Sequence, residues 1–332
     1  MINLAINGFG RIGRHAFKVA FDNRKVKVVG INDLTDTKTL AHLLQHDSAY
    51  GKYKYEVGYD EKNIIVKGKK FPVFAEKDPT LLPWGKLKVD VVLECTGRFT
   101  DKVGAEQHVK AGAKKVIISA PAKDKTVPTY VRGVNCGKVG KETSTVINNA
   151  SCTTNCIAPI MAILQEKFGI EKAMMSTVHS YTTDQVIQDG PHKDLRRARS
   201  AACNIIPTTT GAAKAVGEAI PTLQGIFDGV SFRVPTPVVS LSDITAVLKK
   251  DVTKEEINKV LVDASKTSRF AGILMITNEP LVSSDFIANS YSSIVDLAMT
   301  NVVGGNLVKV VAWYDNEFGY AHRLVEMAVL YS

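Results

Sequence analysis

Cysteine is scarce, at five residues in 332. A set so sparse and odd in number excludes a disulfide framework and points to a reducing compartment, the cytoplasm, where a single thiol is free for chemistry. Long hydrophobic runs are missing too: none approaches the ~20 residues that a membrane helix needs. The opening Met1-Ile2-Asn3-Leu4-Ala5 has no basic stretch followed by an apolar one, so no signal peptide is expected. Pro/Gly/Ser linkers, internal repeats and low-complexity tracts are absent. So is any long basic block, although Lys and Arg number 42 against 33 Asp and Glu, a net charge of +9. The cations are scattered as pairs, Lys69-Lys70, Lys114-Lys115 and Lys249-Lys250, with one tight cluster of Lys193, Arg196, Arg197 and Arg199. Such a distribution favours phosphates or nucleotides as ligands and does not favour nucleic acid as a main partner.

What is present is an ordinary globular composition, 45% apolar and 23% charged, in a chain long enough for two cores and so for two domains. Residues 2–6 are a short apolar run ending in Asn7-Gly8. A helical pattern follows through Phe17, Val19, Ala20 and Phe21, and residues 26–31 make a second strand-like run. That β-α-β order predicts a parallel sheet with a right-handed crossover. Helix is expected over residues 39–44 and up to Ala111, where Gly112 would cap it. Short antiparallel strands are expected around Val57, 64–66 and 71–74, and buried strands at 89–93, 116–118 and 145–147. Past residue 150 the rhythm changes: longer strand-like runs cover 174–178, 230–234, 238–248 and 307–314, and Thr253 with Glu256 reads as a capping box. The fold class expected is α/β. A Rossmann-type dinucleotide-binding domain would span 1–150, joined by the C-terminal helix 316–332, and an α+β catalytic domain with a mixed or antiparallel sheet would span 151–315.

Gly8-Phe9-Gly10-Arg11-Ile12-Gly13 matches G-x-G-x-x-G between a predicted strand and a predicted helix. Gly8 permits the tight turn, Gly10 lets a pyrophosphate approach, and Gly13 allows close helix–strand packing. The amides of Arg11 and Ile12 would face the diphosphate at the positive helix end. Asp33 stands 20 residues beyond Gly13. Its carboxylate can accept from the adenosine ribose and would repel a 2′-phosphate, which favours NAD over NADP. The loops Cys95-Thr96-Gly97-Arg98 and Ser119-Ala120-Pro121 follow two further strands and could wall the same ligand. A glycine-rich turn with a surface Asp is the bland alternative, and the strand, helix, second strand and acid in order weigh against it.

Ser151-Cys152-Thr153-Thr154-Asn155-Cys156 follows a strand and precedes a helical pattern through Ile157, Ile160, Met161, Leu164 and Phe168. With Ser151 as N-cap, Cys152 would sit at a helix N-terminus, where partial positive charge lowers a thiol pKa. Cys156, one turn on, should be buried and less activated. Pro159 is an awkward residue for a helix interior. A buried core cysteine is the common alternative, but the flanking string is polar. Of seven His, His179 ends a strand-like run and is best placed as base, with His192 as runner-up. Arg197 can grip a phosphate bidentately, or else make a subunit contact. Thr208-Thr209-Thr210-Gly211 offers hydroxyls and an amide ahead of a small-residue helix. Arg233 alternates with Val230, Phe232 and Val234, so it faces either a cleft with an anionic partner or solvent. No metal site is expected.

Four stretches are distinctive: Ala150-Ser-Cys-Thr-Thr-Asn-Cys156, His192-Lys-Asp-Leu-Arg-Arg-Ala-Arg199, Arg233-Val-Pro-Thr-Pro237 and Trp313-Tyr-Asp-Asn-Glu317. In this order the chain resembles the phosphorylating glyceraldehyde-3-phosphate dehydrogenases over residues 2–331. The resemblance implies that Cys152 attacks the aldehyde of glyceraldehyde 3-phosphate, that His179 shuttles the proton, and that inorganic phosphate attacks the resulting thioester. It implies Thr182 and Arg233 for the substrate phosphate, and Ser151, Thr153, Arg197, Thr210 and Gly211 for the attacking phosphate. Asn316 would orient the nicotinamide carboxamide, and Lys77 would lie near the adenine, where many relatives have Arg. Gly190-Pro191 stands where some NAD-using relatives carry Leu-Pro. A homotetramer is implied, with the loop around 181–203 at a subunit interface. Erythrose-4-phosphate dehydrogenase is the nearest rival. A non-phosphorylating aldehyde dehydrogenase and a nucleic-acid-binding protein are further ones.

Overall fold

A computed structural model describes residues 1–332, Lys138 by its backbone alone. By internal contacts the chain divides into two units: residues 1–130, 137–150 and 321–332 form the first, and residues 131–136 and 151–320 the second.

The first unit contains β1 (Ile2–Asn7), α1 (Arg11–Asp22), β2 (Val26–Asn32), α2 (Thr37–Gln45), a small hairpin of β3 (His46–Asp47) and β4 (Gly51–Lys52), β5 (Val57–Tyr59), β6 (Asn63–Val66), β7 (Lys69–Phe74), β8 (Val91–Glu94), α3 (Lys102–Lys110), β9 (Lys115–Ile118) and β10 (Val146–Asn148). One sheet runs β10-β9-β8-β1-β2-β7-β6-β5. Its pairs are parallel from β10 to β7, and antiparallel from β7 to β5. Parallel strands covered on both faces must be apolar throughout. All of β8 is buried, and Val92, Val116 and Val146 share a core with Trp84, Leu82 and Ala105. Because β1 has β2 on one side and β8 on the other, the strand order reverses about β1, and in parallel sheets the carboxyl ends at such a point are where ligands bind.

The second unit contains α4 (Cys152–Lys167), β11 (Ile170–Ser180), β12 (Ile206–Thr208), α5 (Ala212–Ala219), β13 (Phe227–Val234), β14 (Ser240–Leu248), α6 (Lys254–Ser265), β15 (Leu274–Thr277), β16 (Ser293–Val303) and β17 (Leu307–Tyr314). The last helix, α7 (Phe318–Tyr331), passes into the first unit from Ala321. The second sheet is mixed, in the order β12-β13-β11-β14-β17-β16-β15, with β11–β13 and β15–β16 parallel. Helices α4, α5 and α6 pack on it. Helix α4 runs unbroken through Pro159, and α6 opens on the Thr253–Glu256 capping box. The strand expected from Val238 begins only at Ser240, because Val239 takes φ +70. Among the described residues no helix is long and apolar enough to cross a membrane.

Candidate active site

In the first unit the turn from β1 into α1 is built by glycine. Gly8 has φ +90, and a Cβ there would press on the backbone of Cys95 and Thr96; a Cβ on Gly13 would collide with the Gly8 carbonyl. Gly10 is the N-cap of α1, makes no side-chain cap, and a Cβ there would meet open space at the positive end of the helix. Of these residues Arg11 is half-buried and its guanidinium bonds Asp47 Oδ2 at 2.7 Å, while Ile12 is half-buried in the first turn. Asp33 Oδ2 accepts from Phe9 N at 2.7 Å and Oδ1 from Thr35 N at 3.0 Å, which ties it to the glycine turn. Thr96 and Gly97 (φ +70) form the exposed loop after β8, Ser119 N donates to the Glu94 carbonyl, and Lys77 is exposed beyond β7.

In the second unit the reactive groups stand at element ends. Ser151 caps α4, accepting from Thr154 N at 3.0 Å, and this makes Cys152 the first residue of the helix. His179 lies one residue from the end of β11, directly opposite Arg233 on the parallel neighbour β13. Cys152 Sγ is 3.4 Å from His179 Nε2. On the other side of the ring, Nδ1 is 2.7 Å from the Ser180 carbonyl and 2.7 Å from Arg233 Nη1, which also donates to that carbonyl at 3.1 Å. A carbonyl can only accept. A guanidinium can only donate, so Arg233 meets Nδ1 as an acceptor in the other tautomer; in the tautomer with hydrogen on Nδ1, bonded to Ser180, Nε2 is open to a proton from sulfur.

The lowered thiol expected from the helix N-terminus is a correction. Burial pushes the Cys152 thiol up, while the charge of Arg233 and the Thr153 hydrogen bonds pull it back down. Burial, with Arg233 next, pushes His179 down to about 3, so its imidazole is neutral at physiological pH. Cys156 is fully buried and pushed up to about 12 by desolvation.

Each of the remaining candidates has hydrogen-bond or ion-pair partners of its own or lies at a helix start. Thr153 Oγ1 bonds Tyr314 Oη at 2.9 Å, and Tyr314 bonds Thr177 Oγ1 at 2.9 Å beneath His179. Asn316 Oδ1 accepts from Ser180 Oγ at 3.0 Å and Ser240 Oγ at 3.1 Å, which commits its oxygen. Arg197 is ion-paired with Asp184 and Asp194, and Thr182 bonds Gln185. Thr210 Oγ1 accepts from Ala212 N, and Gly211 is the uncapped N-cap of α5. His192 contacts Asp184 and Asp194 instead of Cys152. Ser180, Ser240 and Asp184 were not singled out from sequence, and Tyr314 only as part of the distinctive stretch 313–317. Alternation places Thr177 on the His179 face, but the positions of all four depend on register and loop closure. Buried without a hydrogen-bond partner are Arg197 Nε, Arg233 Nε, Thr208 Oγ1 and Ser231 Oγ, a polar set suited to an anion. Among the described residues no three or more His, Cys, Asp or Glu gather as a metal site.

Comparison with known proteins gives two family matches. Residues 2–102 match the profile described as glyceraldehyde 3-phosphate dehydrogenase, NAD binding domain, and residues 151–316 match its C-terminal domain. Glyceraldehyde-3-phosphate dehydrogenase of Geobacillus stearothermophilus is 54% identical over 327 residues, covering 98% of this chain and 97% of the relative. The Borreliella burgdorferi protein of the same name is 55% identical over 333 residues, covering 98% of each.

Proposed function

The chain belongs to the glyceraldehyde-3-phosphate dehydrogenase family of NAD-dependent oxidoreductases, and from that premise we propose that it oxidises D-glyceraldehyde 3-phosphate with inorganic phosphate to 1,3-bisphosphoglycerate through a thioester on Cys152. The observation that carries this reading is the line from Cys152 Sγ to His179 Nε2, with the Ser180 carbonyl and Arg233 behind the ring.

The first unit's residues fit NAD. Gly8 and Gly10 clear the backbone, the uncapped start of α1 offers amides to a diphosphate, and Asp33 has lone pairs left for ribose hydroxyls. NAD, when bound, accepts a hydride from the substrate carbon. The chain's own groups do the rest. Cys152 Sγ bonds to the aldehyde carbon while its proton passes through His179 Nε2 to the carbonyl oxygen, forming a hemithioacetal. As the C–H hydride leaves, His179 takes the hydroxyl proton and the adduct becomes a thioester. A phosphate oxygen then attacks the thioester carbonyl, the C–S bond breaks, and the proton on His179 returns to sulfur.

Arg233 Nε, buried without a hydrogen-bond partner, supports anion binding around this pair. Thr182 and Arg233 would take the substrate phosphate. Ser151, Thr153, Arg197, Thr210 and Gly211 would take the attacking phosphate, which would compete with Asp184 for Arg197. Asn316, its oxygen already committed, has its NH2 left to donate to the carboxamide. The chain works as a cytoplasmic homotetramer in this reading; its exposed sheet face and five free cysteines support that. The test is NADH formation from glyceraldehyde 3-phosphate and NAD, with and without phosphate, and with erythrose 4-phosphate as competitor. Turnover should require phosphate and favour the triose, and Cys152→Ser should abolish it while NAD still binds. A phosphate-independent rate, a preference for erythrose 4-phosphate or an active Cys152→Ser variant would refute the proposal.

A further inference from the structure

Beneath the cofactor turns lies a chain of buried polar side chains that none of the steps above uses. It crosses the carboxyl ends of β8, β1 and β2. Trp84 Nε1 donates to His108 Nδ1 at 3.0 Å, and His108 Nε2 is 3.1 Å from Glu94 Oε2. Asn7 Nδ2 donates to the same oxygen at 2.5 Å, and Asn32 Nδ2 donates to Asn7 Oδ1 at 2.7 Å. Asn32 Oδ1 in turn accepts from Glu76 N at 2.9 Å.

Groups that can play only one part fix the direction of each hydrogen. An indole N–H only donates, so His108 Nδ1 accepts and its hydrogen sits on Nε2, aimed at Glu94. The Thr96 amide donates to Glu94 Oε1 at 2.8 Å. Thr96 Oγ1 accepts from Arg98 N at 3.0 Å and gives its own hydrogen to Oε1. Glu94 is 1% exposed, and every group that meets its carboxylate is a donor. The loop of residues 95–98 is folded around that carboxylate and abuts the glycine turn: a Cβ on Gly8 would stand 2.8 Å from Thr96 N. Gly8 N donates to the Asn32 carbonyl at 2.8 Å, and Cys95 N to the Asn7 carbonyl at 2.7 Å.

We infer that Glu94 is a positioning residue for the dinucleotide: one buried carboxylate holds Thr96 directly, and the turns at Gly8, Asp33 and Glu76 through Asn7 and Asn32, and so sets the affinity for NAD without touching it. This rests on the reading of those turns as the NAD site. Glu94→Gln keeps the volume but sets an NH2 group against donors whichever way the amide turns. His108 cannot respond by moving its hydrogen to Nδ1, because the Trp84 N–H occupies that place.

The experiment is isothermal titration of NAD into folded Glu94→Gln protein, beside steady-state kinetics and alkylation of Cys152. The NAD Kd should rise about tenfold or more, as expected for a buried donor left facing a donor, while kcat at saturating NAD and the alkylation rate stay within about twofold. Trp84→Phe frees His108 to accept from the amide that Glu94→Gln introduces, so adding Glu94→Gln to a Trp84→Phe background should weaken NAD much less. An unchanged Kd in Glu94→Gln, or an equal loss in both backgrounds, overturns the inference. Should Glu94→Gln not fold, His108→Leu removes one donor from the carboxylate and touches none of the turns. It should also weaken NAD at unchanged kcat, and an unchanged Kd there is equally fatal. A wild-type protein that fails to bind NAD would overturn the cofactor reading itself.

Discussion

Asp33 does two jobs with one carboxylate. It holds the glycine turn through Phe9 N, and in the proposed NAD site it would present negative charge to the ribose. Asp33→Gly removes the charge that repels a 2′-phosphate and also releases the Phe9 amide. Affinity for NAD should therefore fall while the ratio of NADP to NAD turnover rises. Competition assays with the two cofactors measure this, and an unchanged ratio would remove Asp33 from its role. His322 is a residue-scale case with no part in the reaction. Burial, and then the charge of Arg323, push its imidazole down to about 4. The unfolded chain takes up this proton near pH 6.5, so the folding stability it contributes is complete above that pH and is lost as the pH falls toward 4, by at most about 1.4 kcal/mol per pH unit. Urea titrations from pH 7 to 4.5 should show a shallower loss of stability in His322→Phe than in the wild type. Equal slopes would mean that His322 is protonated alike in both states.

Elements were legible in the sequence where side-chain chemistry marks their ends. Gly112, at φ +100, follows the last turn of α3, Thr253 and Glu256 open α6, and Ser151 opens α4. Boundaries set by backbone alone were not. Val239 at φ +70 delays β14, and a β-branched residue in that conformation has no local pattern to announce it. Strands β15 and β16 went unread. In β16 the apolar run is broken by Asp296 and Thr300, both buried, and Asp296 accepts from Trp313 Nε1 on the neighbouring strand at 3.3 Å. The candidate site divides the same way. Cys152 and His179 stand at element ends beside polar strings, so local reading could pick them out. That His179 lies beside Arg233, and that Tyr314 bridges Thr153 and Thr177, follows from sheet register, which is a property of the whole sheet. The direction of the Cys152 shift was missed for a related reason: a helix N-terminus is visible in sequence, and the burial that opposes it is not.

For the whole molecule, strand alternation in the second unit produces two unlike faces. Thr177, His179, Ser231 and Arg233 share one face by register. Met174, Val178 and Val230 point to the other, where they are 63%, 39% and 42% exposed. A recess of about 920 Å³ lined in part by Leu195, Pro207, Val230 and Phe232 opens beside them. In the proposed homotetramer a second copy of the chain would cover this exposed apolar face. Exposed strand positions tolerate lysine with little cost to the fold. In a two-fold interface, however, each substitution acts twice, and an unpaired charge buried there is strongly unfavourable. The net charge of +9 adds repulsion between copies that the apolar contact must already overcome. Wild-type protein at micromolar concentration should therefore sediment as a multiple of one chain, and Met174→Lys with Val230→Lys should shift it to smaller species at unchanged far-UV circular dichroism. A wild type that sediments as a single chain, or a folded double variant that sediments like the wild type, would show that this face is not where the copies meet.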